Sequence, residues 1–352
     1  MLDLIGENNL VALIGAFGGI LLGLASRLGR FCTLGAIEDY LYGGSDVRLR
    51  MWGVAIGTAI AGTFGLMAAG MLTAPETYYL SIRWMPLASI VGGLMFGYGM
   101  ALSGNCGYGA IARLGGGDLR SFVIVLVMGV SAYVVLNGPL APLRNALFYQ
   151  NPITTHVEPG IAHYLASVIH LPATTIGIVI GLVLLAVSAA SRDLWAKPKH
   201  PFWAFVVGLA VISGWAGTHW VARSGFAALP VVSHSFSAPV GETILWWMTG
   251  SARPLSFAVG SVAGVWFGAF LGSLFKGHFR WEACEDPREL RRQIIGASIM
   301  GAGAVLAMGC AVGQGITAFS VLAISAPVTL AAIFAGAALG LRQLIVGFQP
   351  AE

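Results

Sequence analysis

Three of the four cysteines, Cys32, Cys106 and Cys310, share one setting: each follows a long apolar run and stands inside a glycine-flanked interruption. The stretches are RLGRFCTLGAIED (27–39), SGNCGYGAIARLG (103–115) and MGCAVGQGITAFS (308–320). A thiol is a weak hydrogen-bond donor with a polarisable sulfur. It can touch a soft sulfur anion without the complete desolvation that a hard charge demands. Short helices beginning at such interruptions aim backbone N–H groups at a bound anion. Several weak contacts in series allow admission and release, which conduction needs. The competing reading of each cysteine is a small buried hydrophobe. Cys284, in the charged run WEACEDPRELRR, reads as incidental.

Polar residues beside these thiols extend the candidate set. Ser103 and Asn105 precede Cys106, and Gln314 and Thr317 follow Cys310. Each either caps a short helix or hydrogen-bonds a solute. Glu38 and Asp39 follow Cys32 and read as a solvated helix end, with a functional role if one carboxylate is buried. His219, in the cysteine-free stretch HWVARSGFAAL (219–229), is the candidate to meet the anion where a fourth thiol is missing. Arg27 and Arg223 either anchor the edges or draw anions to the mouths. Met85, Met95, Met100, Met300 and Met308 are too scattered for a soft-metal site. No H-E-x-x-H, Walker loop or serine-hydrolase elbow occurs. No metal and no cofactor is expected.

The elements that position these residues follow from composition. Hydrophobic residues make up 57% of the 352-residue chain and charged residues only 10%, against about 25% charged in soluble domains. Apolar runs of membrane-spanning length recur throughout. The expected fold is all-α: a polytopic membrane protein with about nine spans plus short re-entrant helices. The spans expected are Leu10–Leu28, Met51–Leu72, Met85–Leu102, Ser121–Gly138, Ala166–Ala190, Phe202–Val221, Leu255–Phe275, Ile294–Ala307 and Pro327–Gly347. Between them, 29–40, 104–114, 223–229 and 309–319 read as half helices, allowed at membrane depth only where protein or a polar cavity surrounds them. Residues 139–164 read as an interfacial connection. Met1–Asn9 carry Asp3 and Glu7 rather than a basic cluster, so no signal peptide is expected.

With the amino terminus outside and nine crossings, only Arg83, Arg144, Arg223 and Arg253 of the nineteen Lys and Arg fall outside. That bias is the positive-inside pattern, and it places the carboxyl terminus in the cytoplasm. The net charge of +4 is spread over loops, with no basic stripe that would suit nucleic acid. The order long helix, short element, two long helices, short element, long helix occurs twice. A single crossing links the copies, so the second is expected to enter the membrane inverted. The expected division is a first repeat at 1–165, a linking helix with a basic loop at 166–200, and an inverted second repeat at 201–352.

The stretches RFCTLGAIED, GYGMALSGNCGYGAIARLGGGDLRS and MGCAVGQGIT closely resemble the YeeE/YedE family of sulfur-transport membrane proteins, and the likeness covers nearly the whole chain. The resemblance implies a bacterial inner-membrane protein with an hourglass shape. It implies a permease importing thiosulfate for sulfur assimilation and cysteine synthesis. It also implies that Cys32, Cys106 and Cys310 line the path and pass thiosulfate along by S–H contacts. A separate small cytoplasmic sulfur-carrier protein of the TusA/YeeD type is implied as a partner, none being fused before Glu352. The alternatives are a permease for another soft sulfur or selenium compound, and a membrane enzyme that transfers sulfur through a persulfide.

Overall fold

The computed structural model describes residues 6–148, 160–283 and 286–347. Cys284 and the middle of the 139–164 connection lie outside the described residues. The chain forms helices α1 (Glu7–Gly29), α2 (Thr33–Leu41), α3 (Val47–Ala68), α4 (Pro86–Ser103), α5 (Gly107–Gly115), α6 (Leu119–Leu136) and α7 (Ala141–Leu147). It continues with α8 (Ile161–Ile169), α9 (Ala173–Ala189), α10 (Arg192–Trp195), α11 (Lys199–Ser224), α12 (Ala238–Thr249), α13 (Phe257–Phe275), α14 (Pro287–Leu306) and α15 (Ser325–Val346). A short helix, partly π-type over Gly313–Ala318, follows Cys310. Among the described residues there are isolated bridges but no strands.

Seven helical runs are long and apolar enough to cross a bilayer: Glu7–Leu41, Val47–Ala68, Pro86–Gly115, Leu119–Leu136, Lys199–Ser224, Phe257–Phe275 and Ser325–Ile345. Many large apolar side chains point outward from these runs, Leu13, Phe17, Val130, Trp266 and Leu339 among them. Such a surface is stable against lipid, not against water. The chain is therefore a multi-pass α-helical membrane protein.

Two of the nine expected crossings differ. The fifth is not straight: α8 and α9 meet at 118°, and count as an eighth span only if taken together. His170 is left-handed there (φ 59°), and Pro172 has no N–H to continue the helix. The eighth, expected at Ile294–Ala307, falls on α14. That helix opens with Arg288, Glu289, Arg291 and Arg292, and its apolar part is too short to meet the same measure.

Glycine seams bring the long helices into contact. Gly15, Gly19 and Gly23 of α1 face the backbone of α13 at Phe257, Ser261 and Val265, so the two helices run parallel. Gly260, Gly264 and Gly268 of α13 face Ala12, Ala16 and Ile20 in return. No side chain intervenes, so the backbones approach as in small-xxx-small membrane pairs. The same α3–α11 relation recurs through Gly208, set against Ala55 and Thr58. Helix α4 runs antiparallel to α14 through Gly92, Gly99, Gly296 and Gly303. It also runs parallel to α15 through Gly93, Gly97, Gly336 and Gly340. Exchanging the first and second halves turns the α1–α13 pair into α11–α3, and leaves the α4–α14 pair as itself.

Candidate functional site

Each of the three thiols sits at the same kind of break. A long helix ends, one residue takes the left-handed conformation, and the cysteine comes two residues later. The left-handed residues are Arg30 (φ 56°), Gly104 (φ 74°) and Met308 (φ 54°). Such a residue closes a helix end by returning its N–H to an earlier carbonyl. Gly104 N–H donates to Ala101 C=O, and Met308 N–H to Val305 C=O. Arg30 and Met308 adopt this conformation without being glycine, at a cost of roughly 1–2 kcal/mol each. The chain then turns and the cysteine starts a short helix.

Two of the thiols act as caps of those short helices. Cys106 Sγ accepts the Gly109 N–H at 3.3 Å, with Thr33 Oγ1 at 3.8 Å. Cys310 Sγ accepts the Gly313 N–H at 3.3 Å and the Phe236 N–H at 3.2 Å, with Ser235 Oγ at 3.8 Å. Both are buried, while Cys32 is half-buried; all three are free thiols. Thr33, next to Cys32, reaches Cys106, while Phe236 sets its carbonyl against Gly107 and its N–H on Cys310. The fold thus brings the three breaks together around Cys106.

Two cavities approach this cluster from opposite ends. The first, about 340 Å³, is lined by Tyr79, Ser235, Met308 and Gly309, beside Cys310, among others. The second, about 610 Å³, is lined by Cys32, Glu38, Gly104, Asn105 and Gly109, beside Cys106. Helix α1 borders the first at Asn8 and Val11 and the second at Ser26 and Arg27. That separation is about 27 Å at 1.5 Å per residue. The cavities share no lining residue. Between them Cys106, Tyr108, Phe236 and Cys310 are all but fully buried. Phe236 packs its ring 5.4 Å from that of Tyr108, and its carbonyl lies against Gly107. A side chain on Gly107 would collide there with Phe236 and Met128.

The charges differ at the two ends. Arg144 and Glu242 are the charged residues among those lining the first cavity, with Glu242 accepting from Ser256 Oγ at 2.5 Å. The second is lined by Arg27, Arg30, Arg48, Arg113 and Lys276, with Glu38 as its carboxylate. Burial, then the positive charges of Arg30, Lys199 and Arg27, pull the Lys276 ammonium below its usual value.

The remaining expected site residues divide by what they touch. Asn105 and Glu38 line the second cavity. Ser103 Oγ donates back to the Gly99 C=O at 2.8 Å. Gln314 Nε2 donates to the Ala307 C=O at 2.8 Å and holds the end of α14. Thr317 Oγ1 donates to the His234 C=O at 2.6 Å. Ser103, Gln314 and Thr317 therefore brace the breaks and border neither cavity. His219 is buried, 3.1 Å from Glu76 Oε2, and also borders neither cavity. Among the described residues no three His, Cys, Asp or Glu stand together as a metal site would require.

The fourth break lies further along the chain than expected. Helix α11 runs through His219, Trp220 and Arg223 to Ser224, so HWVARS is helix and not interruption. The segment that reaches the thiols is Ser233–Ser237, preceding α12. Its signal was present as SHSFSAP: small polar residues, then proline at the first turn of a helix. Tyr79 was missed too; its hydroxyl lies over Gly309 and Gly313. It arrives from the loop between α3 and α4, a contact with no local sequence signature.

A family pattern described as sulphur transport matches residues 28–339. The thiosulfate transporter TsuA of Escherichia coli (strain K12) is 26% identical over 319 residues, covering 86% of each chain. The thiosulfate transporter TsuA of Spirochaeta thermophila (strain ATCC 700085 / DSM 6578 / Z-1203) is 24% identical over 334 residues, covering 91% of this chain and 94% of the relative. The matched region contains all three breaks and the segment that closes between the two cavities, and the chain belongs to the sulphur transport family.

Proposed function

We propose that this protein imports thiosulfate across the bacterial inner membrane through a path of three thiols, for sulfur assimilation and cysteine synthesis. The observation that carries the reading is the contact of the three cysteine-bearing breaks between two opposed cavities. The names of the two relatives support the choice of solute. The anion enters the first cavity past Arg144, meets Cys310 beneath Tyr79 and Ser235, and crosses to Cys106. It leaves by Cys32 into the second cavity. Cys310 and Cys106 lie among backbone N–H groups with no cation lining the space between them, so binding there is weak enough for onward movement to the cation-lined cavity at Cys32. Phe236 and Tyr108 fill the middle, so their displacement is the gating step. The amino terminus faces outward and the cation-rich cavity faces the cytoplasm, where a TusA/YeeD-like sulfur carrier is the partner. The two halves act as an inverted repeat, a reading supported by the exchange of helix pairs described above.

Uptake of labelled thiosulfate into proteoliposomes tests the path. Replacing Cys106 or Cys310 with alanine is expected to lower the initial rate at least tenfold. Rates equal to the parent protein would remove the thiol path. Competition by selenium and sulfane-sulfur compounds separates thiosulfate from other soft solutes.

A further inference from the structure

Five cationic side chains border the second cavity: Arg27, Arg30, Arg48, Arg113 and Lys276. Glu38 is the one carboxylate among its lining residues. Some of these cations have work elsewhere. Arg48 pairs with Asp39 at 3.1 Å. Arg27 Nη2 donates to the Arg113 C=O, and Lys276 Nζ to the Arg27 C=O. Asp118 and Glu282 stand near Arg27, but both carboxylates are shared with Arg120. Among the described residues Arg30 and Arg113 have no side-chain partner, and the buried Arg27 Nε has none either. His278 adds a further nitrogen to the lining. Like charges gathered at a partly enclosed surface repel one another unless a counter-ion joins them. The cavity, about 610 Å³, has room for a hydrated oxyanion.

We propose that this cavity is a second anion site, independent of the buried thiols of Cys106 and Cys310, that holds a tetrahedral oxodianion between Arg30 and Arg113. Planar guanidinium groups donate in pairs to such oxygens, which a thiol cannot do. The inference shares the anion preference of the proposed import path, and of the path's cysteines only Cys32 borders the cavity. Two sources supply this chemistry: incoming thiosulfate about to leave, and sulfate or phosphate already in the cytoplasm. An occupant from the cytoplasm makes the site a brake on import.

The test uses the purified full-length protein and equilibrium binding of labelled sulfate and phosphate in a chloride background. Saturable binding is expected, unchanged in Cys106→Ala/Cys310→Ala and at least tenfold weaker in Arg30→Gly/Arg113→Gln. Glycine suits the left-handed position of residue 30, so that change removes charge without forcing the backbone. The single change Arg113→Gln serves if the double variant does not fold. Absence of saturable binding, binding indifferent to both arginines, or binding lost with the cysteines overturns the proposal. In sealed vesicles, sulfate or phosphate on the cavity side that slows thiosulfate uptake identifies the cytoplasmic source. Binding without such slowing identifies the departing solute. Vesicles that bind sulfate but take up no thiosulfate count against the import reading alone.

Discussion

Cys106 and Cys310 cap short helices, and the proposed path gives them a second role whose demands differ. As caps they need one small acceptor for the N–H three residues on, and a hydroxyl does that as well as a thiol. As stops on a path for a soft anion they need a large polarisable sulfur, which oxygen does not replace. Serine therefore separates the two. In Cys106→Ser and Cys310→Ser the short helices should remain capped, with thermal midpoints in detergent close to the parent. Thiosulfate uptake should nevertheless fall about tenfold. Retained uptake in both variants would show that a polar cap is enough and that sulfur has no special part. The cysteines were legible because type and glycine context coincide three times in one chain. Phe236 and Tyr79 were not, because an aromatic residue in an apolar sequence carries no mark of what it faces. Their place is set by contacts 74 residues and more away along the chain, such as the Phe236 N–H on Cys310.

At the scale of elements, glycine does two different jobs, and substitution distinguishes them. Gly104 supplies a left-handed hinge before Cys106, and an added Cβ there meets nothing within 4 Å. The penalty for Gly104→Ala is thus conformational, about 1 kcal/mol. Gly264 is ordinary helix, but an added Cβ would run into the backbone of Ala16 on α1. The α1–α13 pair must then open along its length, forfeiting close backbone packing. Thermal unfolding in detergent should rank Gly264→Ala as the more destabilising, and a reversed order would contradict the seam. The helices themselves were readable from hydropathy, and the three cysteine-bearing breaks from glycine. The displaced fourth break has a physical cause: nothing in HWVARS stops a helix until Gly225, so α11 simply continues. The angled α8–α9 pair was hidden because Pro172 interrupts an otherwise unbroken apolar run, and hydropathy registers the run alone.

For the whole molecule, the decisive quantity is the charge moved per transport cycle. The proposed path carries a dianion inward, and no carboxylate accompanies it past the thiols: Glu242 and Glu38 stay in the two cavities. Moving one charge through 100 mV is worth about 2.3 kcal/mol, so a dianion meets roughly 4.6 kcal/mol when the interior is negative. At about 1.4 kcal/mol per tenfold, that is some three orders of magnitude in the accumulation ratio. Net import in a cell by the proposed path then depends on consumption of thiosulfate inside, as the proposed sulfur-carrier partner would provide. Proteoliposomes given potassium diffusion potentials of either sign report on this directly. Uptake should rise when the lumen is made positive and fall when it is made negative, with no matching movement of protons. Uptake that ignores the potential and acidifies the lumen would instead require that protons travel with the anion, and a carboxylate or histidine would then have to be found along the path.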